Sequence, residues 1–213
     1  MNLRKINPNL QKALEENNIT EPTEVQADCW GTLKSGADAV VVMPEGEGKS
    51  ATIAYTVIQK LEKAVGESTR ALIIVHEKED VLQMLEYFEK FGKYTNLRVI
   101  GCNDKTDIDD EKNIISAGMD VLISTPNKVN AMFSGAGFNM NTIKIFVVDD
   151  ADVIFKLRHD SKVQRLSMSI EKTQRLFFTS NLTERVEILA DKIMIEPFLF
   201  GVEDYEEDEE DYD

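Results

Sequence analysis

The chain has 213 residues, 42% of them hydrophobic, enough to fill the core of one α/β domain or at most two small ones. No apolar run approaches membrane-spanning length, and residues 1–6 lack the apolar stretch of a signal peptide, which excludes a membrane role and points to a cytoplasmic protein. The formal charge of −15 is unevenly placed: residues 203–213 hold nine of the 39 acids and none of the 24 bases, leaving −6 on everything before them, a balance that argues against strong nonspecific nucleic-acid binding outside a local basic patch.

In chain order, Asn7-Pro8 opens an amphipathic helix with Leu10, Ala13 and Leu14 on one face. The segment ITEPTEVQ, residues 19–26, leads into a second helix that runs to about Leu33 and is ended by Gly36. Residues 39–43, AVVVM, have the length of a buried strand, and the loop PEGEG follows them. From Lys49 to Leu61 apolar residues recur every three or four positions, the period of a helix. Further strands are predicted at 71–75, 97–101, 121–125, 143–150, 175–180 and 197–202. Between them, helical patterns occupy 81–91, 109–117, 126–133, stretches from Val153 and from Lys162, and 184–193. Short apolar strands alternating with helices imply a mostly parallel sheet covered on both faces, a three-layer α/β domain over residues 1–202. The remaining residues 203–213 read as a disordered acidic tail, either a solubilising segment, a docking strip for a basic protein partner, or a mimic that competes with nucleic acid for a basic groove.

The chemistry concentrates after strand 39–43. Strand, glycine loop, then a helix opened by Gly48-Lys49-Ser50 is the context of a phosphate-binding P-loop. Gly46 and Gly48 let backbone N–H groups turn inward to meet the positive end of the helix dipole, Lys49 reaches the terminal phosphates, and the Ser50 hydroxyl holds magnesium. Met43 stands where the pattern usually has a small residue, and Glu45 and Glu47 sit inside a loop meant for anions. The alternatives are a weakened nucleotide site or an ordinary strand-to-helix turn. In a parallel sheet ligands bind at the carboxyl ends of the strands, so the P-loop, Asp149-Asp150 and Thr179-Ser180-Asn181 converge on one site. Cys29 and Cys102 have no metal-ligand spacing and read as buried thiols. Neither His76 nor His159 has a paired nucleophile, and His159 is expected to face solvent on a helix.

This order of motifs resembles the first RecA-like domain of DEAD-box RNA helicases over residues 6–202. The resemblance implies an ATP-binding domain that uses Mg2+. EPTEVQ is similar to the family's adenine-recognising motif and implies Gln26 at the adenine edge, although the stacking aromatic is replaced by Ile19. The sequence DDAD stands for DEAD, implying Asp149 at magnesium and Asp150, one methylene short of the usual glutamate, as the acid that positions the attacking water. Thr179-Ser180-Asn181 takes the place of the SAT motif, which links nucleotide state to RNA. His76-Glu77-Lys78-Glu79-Asp80 replaces PTREL, a double glycine becomes Gly101-Cys102, and Thr125-Pro126-Asn127-Lys128 is similar to TPGR, implying backbone contact to RNA by Thr125, Asn127 and Lys128. The second RecA-like lobe, which supplies arginine fingers, has no counterpart among these residues, and the acidic C-terminus favours a stand-alone protein. Slow hydrolysis without unwinding is therefore expected unless a partner completes the site. The main alternative is a non-catalytic interaction module on a borrowed fold; a different P-loop NTPase fits EPTEVQ poorly.

Overall fold

A computed structural model describes residues 5–105, 107, 113, 116–135 and 139–202. Helix α1, Pro8–Glu16, starts where the Asn7 side chain accepts hydrogen bonds from the N–H groups of Asn9 and Leu10. Helix α2, Glu24–Ser35, opens with a reciprocal capping box between Thr23 and Gln26 and ends at Gly36, whose φ of 93° only glycine adopts freely. Then come β1 (Ala39–Val42), α3 (Lys49–Leu61), β2 (Ala71–Ile74), α4 (Lys78–Gly92), β3 (Val99–Cys102) and β4 (Val121–Ser124). After α5 (Pro126–Ser134) and a 3-10 turn at Met140–Thr142 follow β5 (Ile145–Val148), α6 (Ala151–Lys156), α7 (Asp160–Met168), β6 (Gln174–Thr179), α8 (Glu184–Ile193) and β7 (Phe198–Phe200).

The strands form one seven-stranded sheet in the order β3-β4-β2-β5-β6-β1-β7, and every pairing is parallel. The expected α/β fold with both faces covered is therefore present. Register follows from the two faces: Val41 and Ile73 point into one core with Trp30, Tyr55 and Phe91, while Val40 and Leu72 point into the other with Phe146, Phe155 and Phe177. Because all strands run the same way, their carboxyl ends share one edge of the sheet, and that edge carries the loops 43–49, 149–151 and 180–183.

Some boundaries move for local reasons. The run 143–150 pairs only over Ile145–Val148, because Ile143 closes the preceding 3-10 turn and Asp149-Asp150 turns away. Helix α4 begins three residues before the apolar pattern, where Glu77 and Asp80 cap it reciprocally. His159 does not lie solvent-facing on a helix. It precedes α7, is half-buried, and has Nδ1 3.2 Å from Lys162 Nζ. Burial, then the Lys162 charge, lowers its pKa. Most of the helix expected at 109–117, and the tail at 203–213, lie outside the described residues.

Two packing details account for departures noted in the sequence. A Cβ at Gly101 would meet Leu85 Cδ1 and Val81 Cγ1 at 2.7 Å, so β3 passes α4 so closely that any side chain there forces these two to shift. At the opposite end of the sheet, buried Asp120 accepts from Arg70 (Oδ1, 2.7 Å) and Arg98 (Oδ2, 2.9 Å), clamping the entries of β2, β3 and β4. Cys29 and Cys102 are both buried, as the spacing implied.

Candidate functional site

The loop between β1 and α3 takes its shape from two glycines in the left-handed region, Gly46 at φ 89° and Gly48 at φ 82°. Glu47 N–H bonds back to Pro44 C=O at 3.2 Å, closing a turn that leaves Glu45, Gly46 and Glu47 exposed. Met43 is fully buried in the core and its N–H bonds to Thr179 C=O at 2.9 Å. Its side chain therefore stays out of the loop, and the unusual residue at that position leaves the cradle clear.

At the floor of the site, Lys49 Nζ pairs with Asp150 Oδ1 and donates to Ser180 Oγ at 2.9 Å. Ser50 Oγ donates to Asp149 Oδ2 at 3.2 Å, and Asp150 N–H donates to Asp149 Oδ1 at 3.0 Å. Three loops from three strands thus meet within hydrogen-bond distance. Asp149 is 5% exposed. Burial, then repulsion from Asp150, pushes its pKa up to about 7. Asp150 has φ 50° and ψ 49°, a left-handed conformation that costs an L-residue energy and turns its carboxylate toward Lys49. Asp152 accepts from Ser180 N–H at 3.4 Å and Asn181 Nδ2 at 3.2 Å, which joins the second and third loops. Burial opposes its charge, but hydrogen bonding with the Thr179 hydroxyl, then with Asn181 and Ser180 N–H, holds its pKa below the usual range. Asn181 therefore serves as a partner of Asp152, and Thr183 stands at the N-cap position of α8 without a side-chain capping bond.

Above this floor lies a cleft of about 620 Å³. The P-loop forms one wall, while Asp80, Gln83 and Tyr87 of α4 form another. Tyr87 was invisible as a site residue in the sequence, because it shares the helical apolar period and stacks on Phe91 with centroids 6.1 Å apart. His76 Nδ1 lies 3.9 Å from Asp80 Oδ2, so the HEKED segment forms a polar corner at the start of that wall.

Gln26 is 6% exposed and sits behind the loop, outside the lining of the cleft. Its Nε2 donates to Thr52 Oγ1 at 2.9 Å and its Oε1 accepts from Thr23 N–H at 3.1 Å. A Cβ at Gly48 would come within 3.0 Å of that Nε2. The glutamine thus buttresses the P-loop through Thr52, whose N–H and hydroxyl both bond to Gly48 C=O at 2.9 Å. Across the sheet, at the end of β4, Thr125 donates to Asp104 at 2.9 Å, Asn127 accepts from Lys162, and Lys128 is 7% exposed. The three TPNK residues stand together at the start of α5, apart from the phosphate loop.

The donor set fits magnesium. Asp149 and Ser50 offer hard oxygens side by side, and a buried carboxylate forced toward neutrality gains from a divalent cation beside it.

Comparison with known proteins agrees with this architecture. The profile of the DEAD/DEAH box helicases matches residues 23–189. The chain is 27% identical to the putative DEAD-box ATP-dependent RNA helicase 29 of Arabidopsis thaliana, covering 91% of this chain and 23% of that one. It is 26% identical to the ATP-dependent RNA helicase uap56 of Schizosaccharomyces pombe, covering 93% and 47%. The chain thus spans about a quarter to a half of the length of these relatives. Among solved structures, a DEAD box protein from the hyperthermophile Methanococcus jannaschii superposes with a TM-score of 0.84 at 20% identity, over 92% of this chain and 54% of that one. The yeast DEAD-box splicing factor Prp28 gives the same TM-score at 21% identity, over 95% and 51%. With the profile matched across most of its length, the chain belongs to the DEAD/DEAH box helicase family.

Proposed function

We propose that this RecA-like domain binds ATP with Mg2+ in the P-loop cleft, hydrolyses it slowly, and contacts RNA weakly and without sequence preference. Helicase action would need a second lobe or a partner that completes the site. The observation that carries the reading is the meeting of Lys49, Ser50, Asp149, Asp150 and Ser180 beneath the glycine loop.

Each of these residues has a task in such a site. The N–H groups at the start of α3 and the Lys49 cation neutralise phosphate oxygens. Asp149 and Ser50 would hold magnesium, which would supply charge neutralisation to the phosphates. Lys49 is held by Asp150 and Ser180, so a phosphate that captures Lys49 releases the Asp150 carboxylate to orient water. Nucleotide entry and exposure of the acid are then one event. RNA contact falls at the N-terminus of α5, where Thr125, Asn127 and Lys128 lie beside Lys162.

Thermal melting tests the nucleotide reading. Mg-ATP at a hundred times its dissociation constant adds about 2.7 kcal/mol, a rise of roughly 5–10 °C for a domain of this size. The wild type shifts and Lys49→Ala does not. A wild type that melts at the same temperature with and without Mg-ATP overturns the proposal. That outcome supports the second reading, a non-catalytic interaction module, which is favoured by one feature: Glu45 stands on the rim of a cleft whose lysine already has an internal carboxylate partner.

A further inference from the structure

Beside the nucleotide cleft, and sharing Val153 with it, lies a second crevice of about 750 Å³ between α6 and α8. Its lining includes three cations, Lys156, Arg158 and Arg185, and two acids, Asp152 and Glu184. Asp152 is already turned to Ser180 N–H and Asn181. Among the described residues, none of the three cations makes an ion pair or a side-chain hydrogen bond, in a chain whose net charge is −15. Arg158 holds φ at 65°, a left-handed conformation costly for any residue with a Cβ, so strain is maintained at the point where this cation is presented. Apolar surface flanks the charges: Leu157 is 49% exposed and Ile188 50%.

We infer that the acidic segment 203–213 of this same chain docks into the Lys156–Arg158–Arg185 crevice. Charge complementarity is direct, since the segment carries nine acids and no base. Its two aromatics, Tyr205 and Tyr212, match the exposed Leu157 and Ile188 and can lie on an arginine face. Reach is sufficient. At Gly201 a Cβ would fall 1.9 Å from Val42 C=O, so the chain leaves β7 pressed against the carboxyl end of β1, on the edge of the sheet that carries all three site loops. From β7 to β5 is three strand spacings, about 14 Å. The length of α6 adds about 9 Å, and eleven extended residues span about 36 Å. Nucleic-acid phosphates and high salt compete for the same cations.

Carbodiimide cross-linking of the full chain, read by peptide mass spectrometry, tests the docking whether or not ATP binds. The reagent joins a lysine amine to a carboxylate as an amide, taking up the released water as its urea. Lys156 becomes linked to acids of 203–213 in monomeric protein, with a yield that does not change on dilution. The link falls several-fold at about 1 M salt, where the Debye length is about 3 Å. It also falls several-fold in the double variant Arg158→Gly, Arg185→Ala, which melts no lower than wild type because the glycine relieves strain. Links from 203–213 spread equally over Lys5, Lys63 and Lys90, or found only in covalent dimers, overturn the proposal. So does a Lys156 whose reactivity responds to poly(U) and never to neutralisation of the tail acids, which would give the crevice to nucleic acid.

Discussion

At the residue scale, what was legible in the sequence was identity, and what was hidden was partnership. Lys49, Ser50, Asp149 and Asp150 could be named because glycine spacing and strand ends announce them, and the fold brings them together. Met43 looked like a fault, yet the strand extends it into the core, a fact of side-chain direction that no motif encodes. The resemblance implied Gln26 at an adenine edge; in the fold its amide bonds to Thr23 N–H and to the Thr52 hydroxyl. Asp150 gives the sharpest residue-level prediction. Its carboxylate is one methylene short of the family's glutamate, and a displacement of about 1 Å can cost about a hundredfold in rate. Asp150→Glu is expected to raise steady-state phosphate release roughly 10- to 100-fold without moving the melting temperature shift given by Mg-ATP. An unchanged rate would place the limit in an arginine supplied from outside these residues, whose contribution in this class is about 10³ to 10⁵.

At the element scale, strand and helix types followed from period, while their ends depended on contacts between distant residues. The start of α4 lies in a capping exchange of Glu77 with Asp80, outside the apolar pattern that marked the helix. Glycine at 101 reads as a vestige of a motif in the sequence, but in the sheet it is set by the Leu85 and Val81 side chains. Gly101→Ala is therefore expected to cost about 1–3 kcal/mol by overpacking, measured as a lowered denaturant midpoint with unchanged slope. The clamp on β2, β3 and β4 makes a second prediction. Burial alone would raise the pKa of Asp120, but hydrogen bonds from Arg98 and Arg70 outweigh it and hold it at about 2, below its ordinary value of 3.8. A depressed carboxylate stabilises the fold above the unfolded pKa and loses that contribution as pH falls through the folded one. Asp120→Asn should thus cost about 2 kcal/mol at pH 7. The difference from wild type should shrink below about pH 4 and close near pH 2; a difference independent of pH would refute the ion clamp and leave only shape.

At the scale of the whole molecule, charge and topology pull against each other. The fold places TPNK at a helix N-terminus on the sheet edge that carries the P-loop, yet the domain carries an acidic excess, and its named RNA residues are largely engaged internally. The motif was legible, but its occupancy by Asp104 and Lys162 was not, because those partners lie 21 and 35 residues away. Lys162 is the less buried of the two lysines at this corner, so it is the one able to meet a phosphate while keeping Asn127 in place. With one or two phosphates neutralised, the slope of log K against log salt for single-stranded RNA should be only about −0.7 to −1.4. Fluorescence anisotropy with oligomers of different sequence should give equal affinities, and Lys162→Ala should flatten the slope by about 0.7 at unchanged melting temperature. A slope steeper than about −3, which corresponds to four or more phosphates, would mean that this acidic lobe holds RNA along a track that TPNK does not define.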